Sequence, residues 1–352
     1  MSLLAKLAVA SVAVGVGSFA TLTQVQGRTE IAALAGLTNL LATGPAVTGS
    51  SGPLDQSYTV RRVRIDTLVA DVELITVPQP GPVRVQASGK PETMKEFHVR
   101  TVGDEVILRL DSDEEDAWFP WNLFNMWSRD RKAQDLRVRI TAPVGTPYDI
   151  EDMIGSINGG DLDAPLRLEG HALNARFGRV QSARVVVAGR GRINVGAIKE
   201  TLDLEIAGSG DFSAASAQSA EVEIAGGGNV VIGPLAAGLN ADVAGSGDIR
   251  VAQVNGPFDA EIAGSGGIVV DGGQASSFSV SIAGSGDVLF RGHATNPKVE
   301  IMGSGSVTVG SYSGALSQDI AGSGEFKVLN QGQPAGPQPP AAPQPPAPPK
   351  KF

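Results

Sequence analysis

The stretch Leu202–Asp211, LDLEIAGSGD, decides the fold. Leu202, Leu204 and Ile206 are apolar, with Asp203 and Glu205 between them, and a period of two means a β-strand with one face buried. Its last six residues recur as Ile224–Asn229 (IAGGGN), Val243–Asp248 (VAGSGD), Ile262–Gly267 (IAGSGG), Ile282–Asp287 (IAGSGD), Ile301–Ser306 (IMGSGS) and Ile320–Glu325 (IAGSGE). Seven copies thus fall 18 to 20 residues apart. An eighth, Val187–Arg192 (VAGRGR), lies 19 residues upstream, and Ile154–Asp161 (IGSINGGD) reads as a degenerate start.

Beyond each Gly-x-Gly the alternation resumes, as in Ile249, Arg250 and Val251. Each unit therefore reads as strand, glycine corner, strand and variable connection. No such unit buries its apolar face alone, so neighbours must stack. A period near 19 is too short for propeller blades of roughly 40 residues and too long for nine-residue calcium rolls. It fits one coil of a β-solenoid whose equivalent positions lie about 4.8 Å apart. Ile206, Ile224, Val243, Ile262, Ile282, Ile301 and Ile320 then form one buried ladder. Antiparallel hairpins across each Gly-Ser-Gly are the alternative.

The chain has 352 residues, with 45 Gly, 22 Pro, no Cys and a formal charge of -9. A 42% apolar content is enough for a core, which excludes global disorder. The absence of cysteine excludes disulfide frameworks, thiolate metal sites, cysteine nucleophiles and a lipobox. The negative charge argues against nucleic acid and anionic lipid as partners. It is unevenly spread: residues 51–200 carry 22 acids and 20 bases, whereas residues 201–330 carry 14 acids and 4 bases.

Residues 1–27 read as a signal peptide, with the apolar run Leu7–Ala20 after Lys6 and an uncleaved anchor as the alternative. Residues 28–55 are a linker, 56–147 a β-rich cap, 148–330 the glycine-rich solenoid and 331–352 a proline-rich tail. The expected class is all-β: a parallel β-helix-like solenoid of ~19-residue coils closed at its N-terminal end by a β-rich segment. A cap there shields unpaired strand edges.

Glu205, Glu223, Asp242, Glu261, Glu300 and Asp319 precede the corners and would stack as a carboxylate ladder, either holding calcium or forming a solvated acidic face. Asp211, Asp248, Asp287 and Glu325 follow the corners and suit turn chemistry. Serines 209, 246, 265, 285, 304 and 323 form a third ladder, better suited to structure than to nucleophilic attack. His98, His171 and His293 have neither metal-ligand nor catalytic spacing. Arg192 would sit beside Asp211 and offset one end of the acids. The candidate interaction patch is aromatic: Trp118, Phe119, Trp121, Phe124 and Trp127 follow five acids within Asp111–Asp116. It reads either as an insertion packed on the sheet or as an exposed surface for a partner, glycan or membrane interface.

Repeated IAGSGD units after a β-rich opening, behind a signal-like start, resemble the auto-transporter adhesin head family, the GIN domain. The resemblance covers residues 58–330 and implies a right-handed β-helix-like architecture, a bacterial envelope location and no catalytic residues. One departure is the C-terminus, where proline and Lys-Lys-Phe stand in place of a membrane barrel. The expected protein is exported to the periplasm, outer membrane surface or extracellular space. It would act as a non-enzymatic adhesin, binding or scaffold module without a cofactor. Its expected partner is an envelope protein or a glycan, and membrane proximity falls to the N-terminus or the aromatic segment. A polysaccharide-cleaving β-helix enzyme is the runner-up, and a structural spacer the third reading.

Overall fold

The computed structural model describes residues 51–110 and 135–329. Within Asp248–Gly264, Ile249, Val251, Val254, Phe258, Ala260 and Ile262 point into the core, while Arg250, Gln253 and Asp259 face outward. The two-residue period breaks at Ala252–Gln253 and again at Asn255–Pro257, where the coil turns between flat runs. Ile262 is in register with Val243 on one side and Ile282 on the other, both in parallel pairing. The same line runs from Val187 through Ile206, Ile224 and Val243 to Ile301 and Ile320. All of these are buried except Ile320, which is half-buried. Each buried isoleucine contributes about 1.5–3 kcal/mol, but only a neighbouring coil supplies what it packs against.

The two glycines of each corner answer different demands. Gly264 has φ +138°, a backbone region that side chains rarely enter, and an added Cβ would strike the Gly245 carbonyl oxygen one coil back. Gly286 needs no unusual backbone, but a Cβ there would lie 2.6 Å from Ile262 Cγ2, so the isoleucine ladder itself leaves room only for hydrogen. Between the two glycines, the Ser285 amide donates to the Gly264 carbonyl at 2.8 Å, and Ser304 repeats this bond to Gly284 at 2.9 Å. The corner is therefore hydrogen-bonded along the stack, as the strands are. Beside it, Phe258 and Phe278 stack at 4.9 Å with rings 12° apart, and Phe290 packs against both.

The molecule is a β-solenoid of about ten turns with ~19-residue coils. Pairing is parallel throughout the glycine-rich half, so hairpins across Gly-Ser-Gly do not occur.

Nearer the N-terminus, chain order and stacking order part. The elements there are β1 (Leu54–Tyr58), β2 (Arg62–Asp66), β3 (Val69–Val77), β4 (Val83–Gly89), α1 (Pro91–Glu96), β5 (Phe97–Val102), β6 (Glu105–Leu110) and β7 (Leu136–Pro143). They are followed by β8 (Tyr148–Gly159), β9 (Leu166–Phe177) and β10 (Ala183–Ala197). Val63 on β2 pairs with Val106 on β6 and with Tyr148 on β8, both in parallel. Val72 on β3 likewise lies between Val138 on β7 and Ile157 on β8. The β2–β3 coil is thus inserted between the β6–β7 layer and β8. Antiparallel strands close the outer end: β4 lies on β7, β1 on β4 and β5 on β6. Asp55 and Arg84 tie β1 to β4 through two hydrogen bonds of 2.6 and 2.7 Å. Covering the first coil in this way removes an exposed edge that would invite pairing with another chain.

Candidate functional site

The strand leading into each corner presents alternate residues to solvent, and in-register stacking turns them into continuous lines. One line is Glu205, Glu223, Asp242 and Glu261; its neighbour is Asp203, Glu221, Asn240 and Asp259. Seven carboxylates therefore share one face of four coils, with strands about 4.8 Å apart. Like charges at this spacing repel. Glu223 sits in the middle, where partial burial pushes its pKa up and Glu205, Glu221 and Asp203 push it further, against Arg184. Arg184, which bonds Asp203, closes one end. Ser279 and Ser281 interrupt the lines at the other, and Lys298 pairs with Glu300 at 2.9 Å beyond them. Four members of the expected ladder are contiguous, whereas Glu300 and Asp319 stand past the serine break. Among the described residues, no group of three or more His, Asp or Glu is placed to hold a metal ion.

The acids after the corner bond to the next coil. Asp248 Oδ1 accepts from the Gly267 amide at 3.0 Å, and Asp287 Oδ1 accepts from the Ser306 amide at 2.9 Å and its hydroxyl at 2.6 Å. Asp211 accepts from Asn229 at 3.1 Å and lies 3.7 Å from Arg192, the neighbour that the repeat register requires. The corner serines are exposed, and Ser304 donates to Ser285 at 3.2 Å. His98, His171 and His293 stand on separate elements. Both ring nitrogens of His293 are taken by Ser311 and Ser313, at 3.0 and 2.9 Å, an arrangement that fixes the ring between neighbouring coils. The aromatic candidates Trp118, Phe119, Trp121, Phe124 and Trp127 lie outside the described residues, as does the signal-like segment 1–27.

A groove that the repeat does not announce crosses the β8, β9 and β10 coils. It holds about 400 Å³ and is lined by Arg62, Tyr148, Asp149, Leu166, Arg167 and Arg184, among others. Register places Arg167 beside Arg184 on adjacent strands, with Asp149 and Asp203 on their flanks. Tyr148 is 3% exposed and its hydroxyl has no hydrogen-bond partner; burial pushes its pKa well up. These residues escaped the sequence reading because β9 lacks the glycine corner, and the register slips between Val187 and Arg190. The available signal was Arg167 and Arg184 at near-repeat spacing.

Residues 128–234 and 235–332 match the family described as "Putative auto-transporter adhesin, head GIN domain". The chain belongs to this family. The GIN-domain protein is also similar to solved structures. One is a "putative adhesin" from Bacteroides fragilis NCTC 9343, at 15% identity over 80% of this chain and 99% of that one, with a TM-score of 0.35. Another is a "putative adhesin" from Parabacteroides distasonis ATCC 8503, at 13% identity over 82% and 98%, with a TM-score of 0.33. A "putative lipid binding protein" from the same organism aligns at 17% identity over 81% and 99%, with a TM-score of 0.33. No curated protein matches the chain. Among the described residues of this GIN-domain protein, no helix is long and apolar enough to cross a membrane.

Proposed function

We propose that this GIN-domain protein is an exported, non-catalytic binding module of the bacterial envelope, adhesin-like in role, whose partner is an envelope protein or a glycan. The observation that carries the reading is the in-register outer face, where one coil's side chains are repeated by the next. A surface of this kind offers one contact many times along a rigid axis, so weak individual contacts add up through multiplicity. Membership in an adhesin head family supports the same reading. The aromatic segment 118–127 is proposed as a second contact surface, and the proline-rich tail 331–352 as a spacer.

The test has two arms. Fractionation and protease accessibility on intact cells should place the chain outside the cytoplasm. Full-length protein on a panel of envelope glycans and proteins should retain at least one ligand and release it intact. Shortened glycan products would replace the binding reading with a polysaccharide-cleaving one.

A further inference from the structure

We propose that the groove across β8, β9 and β10 is a binding site for a hydroxyl-rich anion, a sugar bearing a carboxylate or a phosphate. The inference deepens the binding-module reading, and rests on it in that the ligand is held without being transformed. Three observations converge. The first is an excess of unsatisfied donors. Arg62 makes no ion pair among the described residues, and Arg167 reaches Asp149 and Glu151 only at 3.6 and 3.9 Å, outside hydrogen-bond range. Each guanidinium carries five N–H donors in a planar fork suited to a carboxylate or phosphate. Arg167 and Arg184 stand side by side at strand spacing, a repulsive placement that a bound anion relieves.

Second, buried polar atoms here lack partners: the Tyr148 hydroxyl and Asp149 Oδ1 make no hydrogen bond. Such groups are rare in folded proteins and costly unless something completes them. A donor and an acceptor beside two arginines match a sugar that presents both hydroxyls and a charge. Third, about 400 Å³ is the size of a small ligand, and Leu166 and Tyr148 supply apolar lining for a sugar's C–H face. The surrounding charge reinforces the choice: the acidic lines over Asp203–Glu261 repel an anion from the neighbouring coils and leave this end as its place to dock.

Full-length protein titrated by calorimetry with trigalacturonate, galactotriose and inorganic phosphate tests the assignment. Trigalacturonate binds, galactotriose binds about tenfold or more weakly, and added salt weakens the former. Phosphate competing with trigalacturonate assigns the site to either anion, whereas its failure to compete restricts it to carboxylates. The variant Arg62→Ala/Arg167→Ala alters exposed side chains, and its melting temperature checks the fold. It loses about tenfold or more in affinity, while Arg167→Lys, which keeps charge but not the fork, falls between. Tyr148→Phe keeps the ring and also binds more weakly. No trigalacturonate binding by the wild type, equal binding of galactotriose, or unchanged affinity in the double-arginine or phenylalanine variant overturns the assignment. Shortened oligomers in the titration mixture would instead contradict the non-catalytic reading while leaving the site standing.

Discussion

The glycine-cornered coils from Thr201 onward and the coils from Arg62 to Ala197 share a core but solve the corner differently. In the later coils Gly208, Gly226, Gly245, Gly264, Gly284 and Gly303 all take φ between 134° and 138°, and the corner stays in register from coil to coil. In the earlier coils the register slips between Ile150 and Met153, between Met153 and Ile154, and between Val187 and Arg190. Thr67, Asp152 and Asp163 there adopt positive φ without being glycine. Uniform corners give uniform faces, so the later coils repeat one chemistry. The irregular coils place unlike side chains beside each other, and that is where arginines, a buried phenol and a groove come together. Repetition builds length and stiffness; departures from it build a site.

The largest effect that sharpens this contrast comes from the aromatic stack. Phe278→Ala should cost about 3–5 kcal/mol, because its ring is fully buried between Phe258 and Phe290. In a one-dimensional stack the loss is local. Hydrogen exchange should show the later coils losing protection while β2, β3 and β8 keep theirs. Equal loss at both ends would show that the two regions unfold as one.

The corner is next. Gly264→Ala combines backbone strain with a collision at the Gly245 carbonyl and should cost about 3 kcal/mol or more in urea unfolding. Gly81→Ala, in the connection between β3 and β4 where an added Cβ meets nothing within 4 Å, should stay within about 0.5 kcal/mol. Comparable losses at the two positions would remove the distinction between a glycine the stack demands and one it tolerates.

Much of this was legible in advance because it is local and repeated. Ile206 to Ile320 at a constant spacing gave the buried ladder, and the alternation around them gave the acidic lines. The hexapeptide also told which positions tolerate no side chain. What was not legible depends on contacts distant in sequence. Nothing around Val63 indicates that it pairs with Val106 and Tyr148, 43 and 85 residues away. Stacking out of chain order leaves no periodic trace. The groove was hidden for the related reason that it forms where the repeat is broken, and Tyr148, read alone, is an ordinary strand residue. The break of the acidic ladder at Ser281 was readable, since the serine replaces an acid in that copy.

The smallest effects are electrostatic, and they carry opposite signs in the two regions. Hydrogen bonds from Arg84 and Gln86 hold the Asp55 carboxyl at about 2, below the ordinary 3.8. Its contribution is therefore present above pH 3.8 and lost as pH falls towards 2, so β1 should loosen from β4 in acid. Glu223 has its pKa raised above 4.5, so its contribution is present below that value and lost as pH rises through the folded one. Mild acidification should thus tighten the acidic face before stronger acid frees β1. Glu223→Gln should raise stability near neutrality by no more than about 0.5 kcal/mol, less in high salt. Site-resolved NMR titration reads both; parallel responses in β1 and around Glu223 would contradict the assignment of charge to the two regions.

The central claim, that successive coils lie directly on one another, is tested most directly by cysteine crosslinking in a chain that has no cysteine of its own. Ser285 and Ser304 stand on adjacent coils with hydroxyl oxygens 3.2 Å apart, so Ser285→Cys/Ser304→Cys should form an intramolecular disulfide under mild oxidation. Ser246→Cys/Ser304→Cys, three coils apart at roughly 4.8 Å per coil, should remain reduced within the monomer. Failure of the first pair to close, or closure of the second as fast as the first, would contradict the stack.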